Sequence, residues 1–115
     1  MTQVNPNDVA SSGSQDIQTA IAKLAALKTR PGALIVAIDQ KINDLQAQDA
    51  ALTNLQLQTM VDSQKFGQEV ATMNAAAGAL KTEAATMQVA VNDLTAVAKV
   101  VNTAASLVTA LAPFV

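Results

Sequence analysis

Asp62 and Glu69 lie seven residues apart, a spacing that brings two carboxylates to one helix face and could support general acid and base chemistry. Nothing in the chain is suited to tune such a pair. Histidine, cysteine, tyrosine and tryptophan are all missing, which removes the commonest general base, the thiolate nucleophile, and imidazole and thiolate metal ligands. Asp39, Asp44 and Asp49 are spaced by five, so a helix rotates them around its axis rather than converging them on a cation. No glycine-rich turn resembles a phosphate cradle. These carboxylates read as a solvated helix surface. No catalytic, cofactor-binding or metal-ligating residue is assigned, no cofactor is expected, and the chain is read as a non-enzyme.

Charge restricts the partners. Seven Lys or Arg against nine Asp or Glu give a formal net charge of −2, and the only local cationic group is Lys23, Lys28 and Arg30. A duplex binder needs a clustered basic face to displace counterions, so nucleic acid is not an expected partner. The trio fits the end of a first helix, where cations complement the helix dipole by about 0.3–1 kcal/mol.

Positioning falls to an apolar ladder with small rungs. Phe66, Met73, Leu80, Met87, Leu94, Val101 and Val108 alternate at steps of three and four with Val70, Ala77, Ala84, Val91, Ala98, Ala105 and Ala112. This is the repeat that draws one continuous seam along a supercoiled helix. Alanine on one rung lets helix axes approach toward the short end of the ~8–10 Å range. Gly78, inside the ladder, is read as a further close-packing position. Met73 and Met87 lie on the seam and are expected in the core, while Asp49, Gln56 and Ser63 are polar rungs that either specify register or sit in solvent.

A second row, Val97, Val100, Ala104, Leu107 and Leu111, runs beside the seam and is assigned as a partner or lipid face. The segment 100–115 carries no charge, but Asn102, Thr103, Ser106, Thr109 and Pro113 leave it short of the ~20 predominantly apolar residues of a spanning helix.

The elements that carry these rows are helices throughout. Residues 1–13, with Asn5, Pro6, Ser11, Ser12 and Gly13, have the composition of a flexible arm and are expected to be disordered. A first helix is expected over 14–29, starting at Ser14 with Ile17, Ile21 and Leu24 on one stripe, and a break at 29–32 is marked by Pro31 and Gly32. Leu34, Ile35, Ile38, Ile42, Leu45 and Leu52 form the next stripe. Beyond it the expectation is either long helices over 33–61 and 68–112, turning near Asp62 to Gly67, or one continuous helix with a polar waist.

The fold class expected is therefore all-α, with long antiparallel helices in a hairpin or a three-helix coiled-coil-like bundle. The role expected is that of a structural or interaction protein that self-assembles or pairs with a helical partner. The alternative is a membrane-active helical protein, such as a pore-forming component, working through its C-terminal segment. The first fourteen residues lack the basic start and apolar run of a cleavable leader, so a cytoplasmic location, or export without one, is expected.

Overall fold

The computed structural model describes residues 3–115. Met1 and Thr2, the start of the expected arm, lie outside the described residues. The chain folds as β1 (Gln3–Val4), α1 (Pro6–Leu27), α2 (Ile35–Thr53), β2 (Val61–Asp62), α3 (Gly67–Thr86) and α4 (Thr95–Leu111), closing in a single 3-10 turn at Ala112–Phe114. The four helices pack against one another, and β1 and β2 form a two-residue antiparallel ladder with Gln3 opposite Asp62 and Val4 opposite Val61.

α1 begins eight residues before Ser14. Asn5 accepts a hydrogen bond from the Asn7 backbone amide on its side-chain oxygen at 3.0 Å, and Pro6 occupies the first helical turn, where its missing N–H costs nothing. Most of the expected disordered arm is therefore helix. Its serines do not oppose this, because Ser11 and Ser12 face solvent while Ala10, Gly13 and Ser14 face inward. Small buried residues do not register as an apolar stripe, yet they bring α1 close to its neighbours.

Gly13 is the tightest point. A Cβ there would lie 2.7 Å from Leu107 Cδ2, 3.3 Å from Leu52 Cδ1 and 3.7 Å from Leu80 Cδ2, so residues from all four helices converge on this position. Beside it the Ser14 hydroxyl donates to the Asp49 carboxylate on α2, which explains one of the polar rungs as an interhelix hydrogen bond. Gly78 is the opposite case. It is exposed, and a Cβ there would meet nothing within 4 Å, so it is not the close-packing position its place in the ladder suggested.

α1 closes into a turn over residues 28–34 that contains the expected break, with Gly32 in the left-handed region at φ 79°. α2 stops at Thr53 rather than continuing to residue 61. The chain then runs extended, with Leu55 and Leu57 half-buried, before β2 and the turn into α3. Here Asn7 donates to the Leu57 carbonyl at 3.3 Å, and the Gln58 amide donates to the Phe114 carbonyl at 2.7 Å. Phe66 and Phe114, the only two aromatics, meet edge to face with centroids 6.0 Å apart. The polar waist is thus a loop that ties the N-terminal strand to the C-terminus.

The expected helix over 68–112 is two helices. Met87 leaves the helical region with ψ at 125°, and Ala90 and Asp93 exchange backbone hydrogen bonds of 3.0 Å each. The Asp93 carboxylate then accepts from the Thr95 amide at 3.1 Å and the Thr95 hydroxyl at 2.7 Å, which starts α4. Those two bonds hold the Asp93 carboxyl below its usual range. Asn92-Asp93 is ordinary turn chemistry, and the ladder running through it concealed the break.

Candidate interaction surface

The break divides the apolar ladder between two fates. Along α3 it is core: Val70, Met73, Leu80 and Ala84 are buried, Met87 just past the helix is buried, and Phe66 and Ala77 are half-buried. Val91 and Leu94 lie half-buried in the loop. In α4 the same frame turns outward, leaving Ala98 exposed and Val101, Ala105 and Val108 half-buried at the edge of the core. The second row takes over. Val97, Val100, Ala104, Leu107 and Leu111 are at most 1 % exposed, so the residues assigned as a partner or lipid face form the inner face of α4.

The phase changes because the eight residues 87–94 are not helical, and a helix restarted after them presents whichever row packs best. That row carries more apolar volume. Valines and leucines recover roughly 1.5–3 kcal/mol each on full burial, and alanine far less.

The residues with chemical potential are dispersed. Asp62 sits in β2, where its carboxylate accepts from the Gln64 amide at 2.9 Å, while Glu69 lies in the first turn of α3. Gly67 begins a new helix between them, so the two never share a helix face. Asp39 pairs with Lys28 at 2.7 Å, and Asp44 is exposed. Among the described residues no three carboxylates converge as a cation site would require.

Lys23 has a structural duty across elements. Its ammonium donates to the carbonyls of Ala84, Ala85 and Met87 at 2.8, 2.9 and 3.1 Å, satisfying the open C-terminal end of α3. One member of the trio read as a solvated helix end thus completes the end of a neighbouring helix. Near the same end the Lys99 ammonium stands 3.8 Å from one Glu83 oxygen, while the other Glu83 oxygen is buried without a hydrogen-bond partner. On the α1–α3 side, Asp8, Asp16, Gly78 and Lys81 line a shallow cleft, and burial raises the Asp16 carboxyl above its ordinary 3.8, with Lys81 opposing the shift.

Two surface features remain. A groove of about 540 Å³ runs between the start of α3 and the end of α4, lined by Gln68, Glu69, Thr72, Ala105, Ser106, Thr109, Ala110 and Pro113. Its two walls, around Glu69 and Thr109, lie far apart in the chain, so no local pattern announces it. The second feature is the turn into α2, where Leu34, Ile35 and Val36 are exposed by 55, 42 and 73 %. Leu34 and Ile35 were expected on the α2 stripe, but the buried residues of α2 are Ile38, Leu45 and Leu52. Three consecutive large aliphatics, one residue after Pro31-Gly32, depart from the three-four spacing, and that departure is the signal for this site. Met60 is also exposed, unlike Met73 and Met87.

By length and composition Thr95–Phe114 is apolar enough to cross a membrane, and it is the one such helix among the described residues. No family model matches this chain, and no curated protein or solved structure does either.

Proposed function

We propose that this chain is a non-enzymatic interaction module, a bundle of antiparallel helices that assembles with copies of itself or with a helical partner. The order of contacts supports the antiparallel arrangement: Ser14 meets Asp49, and Lys28, just past the end of α1, meets Asp39, earlier on α2.

The observation that carries the functional reading is the outer row of α4. With the core already occupied by Val97, Val100, Ala104, Leu107 and Leu111, the helix leaves Ala98 exposed and Val101, Ala105 and Val108 only half-buried, and Ala105 borders the groove. A helix that satisfies its own core and retains a second apolar row of small residues can admit another backbone at short range. Lipid is a weaker candidate for the same segment. Offering Thr95–Phe114 to a membrane means withdrawing six buried side chains of α4, and Phe114 with them, which requires the bundle to open.

Sedimentation velocity over a wide concentration range tests the reading. A sedimentation coefficient that rises with concentration is expected. A chain that stays monomeric to its solubility limit, and binds no synthetic peptide of its own α3 or α4 sequence, overturns it.

A further inference from the structure

Leu34, Ile35 and Val36 account for three of the five exposed large hydrophobics among the described residues, and they are consecutive. Leu34 is the non-helical residue before α2, and Ile35 and Val36 diverge by about 100° on the helix, so the three form a knob rather than a stripe. A flat helix face covers one of them at a time. A concave apolar site can cover all three.

This chain has a concave site of mixed lining, with Ala105, Ala110 and Pro113 its apolar members beside five polar side chains, at the end of the molecule away from the knob. The groove lies beside Phe114, whose carbonyl and ring contacts tie it to the loop that holds β1 and the start of α1, whereas the knob follows the end of α1. The molecule is a rod with extents of 54 × 23 × 16 Å.

Charge is distributed along the rod with the same polarity. Residues 20–45 and 82–99, around the knob, hold five of the seven cations (Lys23, Lys28, Arg30, Lys41 and Lys99) and four of the nine acids. Two of those acids, Asp39 and Glu83, already face Lys28 and Lys99. The rest of the chain, including the groove and its Glu69, holds two cations and five acids. Like ends repel and unlike ends attract, which disfavours a knob-to-knob dimer and favours a knob meeting a groove.

We infer that the occupant of the groove is a second copy of this chain: the Leu34-Ile35-Val36 knob of one molecule seats between α3 and α4 of the next, with exposed Arg30 approaching Glu69. This rests on the self-assembly reading above and adds its geometry. A contact between two different surfaces at opposite ends of a rod does not close on itself, so copies add in a line rather than stopping at a two-fold dimer.

The test uses Val36→Asp on the knob and Thr109→Arg in the groove, both at exposed helical positions where circular dichroism should report an unchanged fold. Wild type is expected to grow without a fixed stoichiometry in sedimentation velocity, and growth should weaken with added salt. Each variant alone should associate at least about tenfold more weakly. Mixed in equal amounts, the intact knob of Thr109→Arg and the intact groove of Val36→Asp should join into a heterodimer that grows no further. If wild type associates and both variants associate equally well, or if the mixture gives no dimer, the knob-and-groove assignment is overturned while self-assembly stands. A wild-type chain that is monomeric throughout removes both.

Discussion

α3 and α4 carry one apolar repeat in one frame, and only α3 buries it. Val70, Met73, Leu80 and Ala84 face the core, whereas their counterparts Ala98, Val101, Ala105 and Val108 stand at or near the surface. The difference shows that a heptad frame has authority only while the helix is continuous. Once residues 87–94 leave helical geometry, the next helix is free to rotate, and the bulkier of its two rows goes inward.

The largest expected effect concerns that rotation. Leu107→Ala should cost about 2–5 kcal/mol in chemical denaturation, because it empties the point where Gly13, Leu52 and Leu80 meet. Val108→Ala, one residue on and half-buried, should cost well under half as much. Equal losses would mean that α4 does not prefer its inner row.

The next contrast uses a single substitution at matched frame positions. Ala84 is 1 % exposed, so Ala84→Leu overpacks the contact with α1 and should destabilise by about 1–3 kcal/mol. Ala98 is exposed, and Ala98→Leu in dilute, monomeric protein should change stability by no more than about 0.5 kcal/mol. Thermal melts of the two variants side by side decide the matter.

A smaller effect, of opposite sign, is expected on the outer face of α3. Gly78→Ala should stabilise by about 0.4–1 kcal/mol, since the added methyl meets open space and the unfolded chain loses freedom. Gly13→Ala should forfeit that gain, because its Cβ would stand 2.7 Å from Leu107 Cδ2 inside the core.

The subtlest effect is a pH dependence at Asp16. Its carboxyl is raised in the fold by burial, so its contribution is fully present below the unfolded value near 3.8 and is lost as pH rises through the folded value. Asp16→Asn should therefore raise the denaturation midpoint at neutral pH and leave it nearly unchanged at strongly acidic pH. A midpoint that falls at neutral pH would show that attraction from Lys81 outweighs burial.

Much of this architecture is legible in residue order. The absence of proline between Ala33 and Ala112, the three-four spacing, and the Pro31-Gly32 break are enough to give helices and one of their turns. The start of α1 was legible too, in Asn5-Pro6, but its serines and Gly13 outweighed that signal because composition alone cannot tell an outward serine from a flexible one. The loop before α4 was written in Asn92-Asp93 and hidden by a ladder that happened to pass through it. The groove and the cationic cap on α3 had no local trace. Each joins residues far apart in the chain, Glu69 with Thr109 in one and Lys23 with Met87 in the other.

Local preference and periodicity act over one or two helical turns, so amino-acid order alone sufficed for helical content and the poverty of reactive groups. Which apolar row of α4 is sheltered, which glycine is crowded, and which aliphatic residues stay in solvent depend on competition among four helices for one interior. That competition is settled by volume and contact between distant segments, and it left Leu34, Ile35 and Val36 outside.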